Sequence, residues 1–254
     1  MPKVLEVKGV TQQFGGLTAL EDINMSVEQG QIVGVIGPNG AGKTTLFNAV
    51  TGIIPPTRGE IFLNGTNVTG WKPYRITKQG FARTFQNIRL FKKMTVLDNV
   101  LVGMHTRTEA SILSAIFNSK KKREEEKKSI QRAVEILDMM HLADMRYELA
   151  ANLPYGRQRM LEIARALASE PKLLLLDEPA AGMNEQETGE LLSIIALLNK
   201  MQYSVLLIEH DMKFVMNICQ HIYVLNHGRK ISEGSPAVVQ ADEAVIEAYL
   251  GKEV

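Results

Sequence analysis

Cysteine is almost missing from this chain. Cys219 is the only one in 254 residues, so no internal disulfide can form and a reducing compartment fits. It follows Ile218 in a helical pattern and reads as a small buried hydrophobe rather than a nucleophile. Long apolar runs are missing as well. Stretches such as Leu173–Leu176 fall far short of the ~20 apolar residues that a membrane-spanning helix needs. Met1–Val10 alternates apolar and polar residues, without the apolar run of a secretory leader. Charge of one sign is not in excess: the formal net charge is +1, which gives no electrostatic reason to expect nucleic acid as a partner. His105, His141, His221 and His227 show no metal-ligand spacing. The expectation is a cytoplasmic chain that reaches a membrane only through a partner.

What is present suits a substantial core: 45% hydrophobic and 22% charged residues. Ile32–Ile36, Leu173–Leu176 and Val205–Ile208 are continuous apolar runs, each followed by small, polar or charged residues and then a helical pattern. Buried strands alternating with helices predict an α/β fold around a parallel sheet, with ligands at the carboxyl ends of the strands. Val4–Val7 and Ile23–Val27 alternate instead, and Gly15-Gly16 breaks the chain between them. Ile61–Leu63 followed by Asn64-Gly65 adds a hairpin signal, so a small antiparallel layer is expected beside the parallel sheet.

Strand signals stop between about Met94 and Asn152. Val96, Val100, Leu101 and Met104 have helical spacing; Ile130, Val134 and Leu137 predict a second helix continuing to Leu142. The whole of 1–254 is expected to be one domain, with residues 94–170 a helical subdomain inserted in it. Lys120–Lys128 places Lys120, Lys121 and Lys122 four residues before Glu124, Glu125 and Glu126, the pattern of a solvated helix face.

The strand Ile32–Ile36 runs into Gly37-Pro38-Asn39-Gly40-Ala41-Gly42-Lys43-Thr44-Thr45 and then a helical pattern, a GxxxxGKS/T motif in strand–loop–helix context. The glycines let successive backbone N–H groups turn inward around an anion, and the helix presents its positive end to the same charge. Lys43 supplies a cation for the β- and γ-phosphates, and the Thr44 hydroxyl a ligand for Mg²⁺. The motif predicts nucleoside triphosphate binding.

Asp177-Glu178-Pro179 ends the second apolar strand. A carboxylate there needs a charged partner to offset desolvation, and Mg²⁺ would provide one for Asp177. Glu178 is the candidate general base for an attacking water. His210 ends the third strand, where it would hold that water and Glu178 in place.

One more segment narrows the choice. Leu153-Pro154-Tyr155-Gly156-Arg157-Gln158-Arg159, running on through MLEIARALASEPKLLLLDEP, resembles the signature segment of ABC-type ATPases, usually written LSGGQ and followed by a helix and the Walker B strand. The resemblance covers nearly the whole chain. It implies that Phe14 is the adenine-stacking aromatic, that Ala19 also contacts nucleotide, and that Gln86 is the Q-loop glutamine, acting in catalysis and on Mg²⁺. Phe14 also reads as a core residue beside Gly15-Gly16. Ala180–Asn184 stands at the D-loop and His210 at the switch histidine. Tyr155, Gly156 and Arg157 would bind nucleotide held by a second subunit. Pro154 and Asn184 depart from the family's serine and aspartate. LPYG-R-Q, DEPAAGMN, IEHDM, FGGLTAL and AYLG are similar to the ATP-binding subunits of branched-chain amino acid importers.

That resemblance implies an ATP hydrolase using ATP and Mg²⁺ and pairing with a second ABC ATPase subunit. It would dock on integral-membrane permease subunits at the cytoplasmic face and, through them, serve an extracytoplasmic solute-binding protein. Phe91, Met94 and Val96 would suit the docking groove, although each taken singly fits the core. A soluble ABC ATPase, such as one of iron–sulfur assembly, a small-molecule phosphotransferase and a nucleotide sensor without turnover are the competing readings.

Overall fold

The computed structural model describes residues 2–104 and 120–250. Its centre is a six-stranded sheet made of β3 (Ile32–Ile36), β6 (Phe81–Arg83), β7 (Leu173–Asp177), β8 (Ser204–Ile208), β9 (His221–Asn226) and β10 (Arg229–Gly234), in the order β10-β9-β3-β8-β7-β6. Neighbours from β9 to β6 run parallel, and β10 closes the edge antiparallel to β9. The three predicted apolar strands lie side by side as β3, β8 and β7. β6, β9 and β10 were not foreseen; β6 has only three residues and leaves too little pattern to read.

Every residue of β3, β7 and β8 is buried because both faces are covered. Ile32, Leu174, Leu176, Val205 and Leu207 point into one core, covered by α5 (Tyr155–Leu167), α6 (Glu185–Lys200) and α7 (Met212–Ile218). Their neighbours Val33, Leu173, Leu175, Leu206 and Ile208 point into the other, where α1 (Lys43–Val50) contributes Leu46, Phe47 and Val50. This split by alternate residues is the period-2 geometry of a strand.

The second core is closed by the predicted antiparallel layer. β1 (Lys3–Phe14) pairs with β2 (Leu17–Glu28) and with β4 (Arg58–Leu63), which turns into β5 (Thr66–Asn67). The turn is Asn64-Gly65, both at positive φ, as a tight hairpin of primed type requires.

Among the described residues, α2 (Pro73–Lys78) precedes Met94, and the helices α3 (Val96–Met104), α4 (Lys120–Met139) and α5 follow it. α4 stops before Leu142. His141 adopts φ +55, Leu142 N–H bonds Leu137 O at 2.8 Å, and His141 N–H bonds Asp138 O at 3.0 Å. That is a Schellman ending with histidine where glycine is usual. The lysine side chains of the three expected Lys–Glu pairs on α4, and His105, lie outside the described residues. The apolar stripe Met160, Ile163, Ala164 and Leu167 of α5 is buried, as expected. α8 (Pro236–Gln240) and α9 (Glu243–Leu250) complete the described chain. No described helix is long and apolar enough to cross a membrane.

Candidate functional site

At the carboxyl end of β3 the backbone makes a tight loop before α1 begins at Lys43. Gly37, Gly40 and Gly42 have φ +151, +80 and +102, values that side chains resist. A Cβ on Gly37 would run into the Leu225 carbonyl, and one on Gly42 would lie 2.8 Å from the Ala19 carbonyl. The loop is braced by the β9–β10 hairpin: Gly228 N–H donates to Ala41 O at 3.1 Å, and Glu21 N–H donates to Gly228 O at 2.8 Å.

The loop floors a cavity of about 610 Å³ lined by Phe14, Leu17, Thr18, Ala19, residues 39–45, Gln86, Glu178, His227 and Gly228. The structure thus brings Phe14, Ala19, Asn39, Gly40, Ala41, Gly42, Lys43, Thr44 and Thr45 together around one cavity. Gly37 and Pro38 sit beneath, holding Lys43: its Nζ donates to Gly37 O at 2.6 Å and Pro38 O at 3.0 Å. Burial lowers the Lys43 pKa, and the nearby Glu178 carboxylate partly restores it. A buried cation satisfied only by carbonyls gains from an anionic ligand. Phe14 is 44% exposed, which excludes the core reading for it.

Glu178 follows β7 at φ +47, a conformation that costs a non-glycine residue free energy and aims its carboxylate at the cavity. Gln86 Nε2 donates to Glu178 Oε2 at 2.9 Å. His210 Nδ1 lies 3.9 Å from Glu178 Oε1 and is largely exposed, beside the carboxylate but not hydrogen-bonded to it. The amide and the acid therefore meet at the cavity that Lys43 floors, with the imidazole beside the acid.

A family model described as ABC transporter matches residues 20–181. The chain belongs to the ABC transporter ATP-binding family. A second model, described as branched-chain amino acid ATP-binding cassette transporter, matches residues 229–254. The chain is 45% identical over 250 residues to the high-affinity branched-chain amino acid transport ATP-binding protein BraF of Pseudomonas aeruginosa, covering 98% of each. Among solved structures it is similar to the ADP conformation of MJ1267, an ATP-binding cassette of an ABC transporter (TM-score 0.86, 30% identity, 99% of this chain and 100% of that one). It is also similar to the dimeric structure of MJ0796, a bacterial ABC transporter cassette (TM-score 0.76, 25% identity, 91% and 98% covered).

In this ABC ATP-binding chain the signature residues do not line the phosphate-loop cavity. The Tyr155 ring packs against Gly182, the Glu187 carboxylate abuts Gly156, and Arg157 pairs with Glu190 at 2.9 Å. They face α6 and the D-loop instead. Asn184, in place of the family's aspartate, caps α6: its side chain accepts the Glu187 N–H at 2.9 Å while Glu187 Oε2 accepts the Asn184 N–H at 3.1 Å.

Asp177 is not part of the cavity lining. The charged partner that its position demanded is Arg83, whose Nη2 lies 2.8 Å from Asp177 Oδ2 with both side chains buried. Arg83 also donates to Asn48 Oδ1 at 2.9 Å and Thr51 Oγ1 at 3.1 Å, tying α1 to β7. Sequence reading missed Arg83, which sits on the three-residue strand β6. Glu209 was missed too. This buried acid accepts N–H groups from Ala180 at 2.9 Å and His210 at 3.1 Å, joining the D-loop to the switch. Burial pushes its pKa up, and those donors pull it back. Leu17, Thr18, His227 and Gly228 are further cavity residues that the sequence did not mark. Val96 is fully buried, so of the three suggested docking residues only Phe91 and Met94 reach the surface.

Proposed function

We propose that this chain is the ATP-hydrolysing head of an importer for branched-chain amino acids, acting as one of a pair on the cytoplasmic face of a membrane. The observation that carries the reading is the convergence of Lys43, Gln86 and Glu178 on one cavity floored by the phosphate loop. Phe14 stacks on the base, the loop amides and Lys43 take the phosphates, and Glu178 accepts a proton from water that Gln86 and His210 help to orient.

Mg²⁺ fits the donors present. The exposed Thr44 hydroxyl and the Gln86 amide oxygen are hard oxygen donors beside the phosphate site, whereas Asp177 is engaged by Arg83. No cluster of three acidic, histidine or cysteine side chains among the described residues makes a self-sufficient metal cage. Such a site suits an ion that takes most of its ligands from phosphates and water. Bound there, it would neutralise charge developing on the phosphoryl oxygens.

Tyr155, Gly156 and Arg157 lie away from their own chain's cavity, which supports a role on nucleotide held by a second head. The remaining parts of the reading are a single cassette over 1–254, a helical subdomain at 94–170, and permease docking on a surface groove. That groove, of about 580 Å³, is lined in part by Ile53, Ile76, Phe85, Phe91, Val102 and Arg165. The names of the relatives favour transport and branched-chain amino acids over a soluble ATPase. Calorimetry of ATP binding tests the core of it: Lys43→Ala should bind ATP at least ~100-fold more weakly, as a lost charge-assisted contact in a closed site implies. Unchanged affinity overturns the assignment. Co-purification with a multi-spanning membrane protein, and solute uptake by the reconstituted complex, test the transport role.

A further inference from the structure

Two buried charges on the signature helix have no part in that chemistry. Arg159 and Glu162 are 2% and 1% exposed, on the face of α5 that meets the Q-loop. Arg159 Nη1 donates to the Phe85 carbonyl and Nη2 to the Gln86 carbonyl, each at 2.6 Å. Glu162 Oε1 accepts the Arg89 N–H at 3.1 Å, and its other oxygen lies 3.4 Å from Arg159 Nη1. Burial raises the Glu162 pKa, with the Arg89 N–H and Arg159 opposing it.

A buried ion pair is seldom the most stable filling for such a space; apolar residues of like volume often do as well or better. What the pair supplies is geometry. The Q-loop is irregular backbone, and two of its carbonyls are gripped by one rigid guanidinium fork while the loop's far side is held by a carboxylate. The three contacts flank Gln86, whose side chain reaches Glu178. One helical turn before Arg159, the same helix begins at Tyr155 and carries the signature residues.

We propose that Arg159 and Glu162 are positioning residues that clamp the Q-loop to the signature helix, so that nucleotide contact at Gln86 in one head sets the pose of that head's Tyr155–Arg157 toward its partner. This rests on the paired-head reading above. The clamp makes the loop and the start of α5 move as one piece. Without it, ATP still binds, but the signature face is no longer aimed by what Gln86 senses.

The test uses the full chain in a Glu178→Gln background, where ATP stays unhydrolysed. ATP affinity is measured on dilute, unpaired heads, and pairing is followed against ATP concentration. Arg159→Lys keeps the charge but loses the fork, and Glu162→Gln weakens the clamp from its other end. Both should leave ATP affinity within about twofold while raising the ATP needed for half-maximal pairing about threefold to thirtyfold. Pairing that follows occupancy as in the parent overturns the proposal, and so does a parallel loss of affinity and pairing, the mark of a merely structural role. Failure of the parent itself to bind or pair would count against the functional reading instead. Should a variant not fold, hydrogen exchange on unpaired, unaltered heads decides: ATP should protect residues 85–89 and 155–159 together, and protection of the first segment alone overturns the clamp.

Discussion

Gln86 and Glu178, 92 residues apart, meet through a 2.9 Å hydrogen bond from the glutamine amide to the carboxylate at the mouth of the phosphate-loop cavity. The bond fixes one carboxylate oxygen and leaves the other toward His210. A general base needs such orientation as much as it needs basicity. Glu178→Gln should therefore bind ATP with nearly parental affinity and lower turnover by ~10²–10⁴-fold. Phosphate release against time, with ATP binding measured separately, gives both numbers. Near-normal turnover would assign the base to another residue.

The Arg83–Asp177 pair makes a prediction about folding. Removing Arg83 leaves a carboxylate buried behind the phosphate loop without its cation, a loss of ~3–5 kcal/mol for a pair this enclosed. Arg83→Met should show that loss in urea unfolding, with the denaturant slope unchanged. Adding Asp177→Asn should return a good part of it, because the stranded charge is gone. A single variant within ~1 kcal/mol of the parent would show that Asp177 does not depend on Arg83.

Glu209 predicts a pH dependence. Its folded pKa is raised by burial, so its stabilising contribution is complete below the usual glutamate pKa and fades as pH climbs through the raised value. Glu209→Gln cannot ionise. From about pH 4 upward its stability should therefore rise relative to the parent. Urea midpoints for both proteins across that range check the sign. A difference that does not change with pH would mean that Glu209 titrates as it does in the unfolded chain.

What the sequence made legible was local. Ile32–Ile36 with its glycine loop, Leu173–Glu178 and Val205–His210 each carry a strand and candidate site residues in one contiguous run, and buried parallel strands leave no ambiguity about which face is wet. What escaped was contact between distant segments. Arg83 gains its meaning only when β6 docks beside β7, and Glu209 only when Ala180 comes within reach. The Asn226–Gly228 turn matters because Glu21 and Ala41 bond to it. Val96 has the spacing of a helix face either way. Only packing decides that it faces Val100 and the core rather than a groove.

Phe14 tests the proposed base-binding side of the cavity. It ends β1 opposite Leu17, and the two apolar side chains stand exposed at 44% and 67% on the rim above Lys43. An exposed aromatic at the tip of a hairpin leaves apolar area in water unless a flat ligand covers it. Stacking on a purine supplies ~0.5–1.5 kcal/mol beyond that area. Phe14→Ala should weaken ATP by at least about 2- to 12-fold, the stacking contribution alone, yet leave inorganic triphosphate unchanged, because the phosphate loop itself is untouched. Leu17→Ala, which removes area but no ring, should weaken ATP less. Calorimetric titration of both ligands onto both variants gives the comparison. Equal losses for ATP and triphosphate would mean that Phe14 acts through the loop rather than on the base.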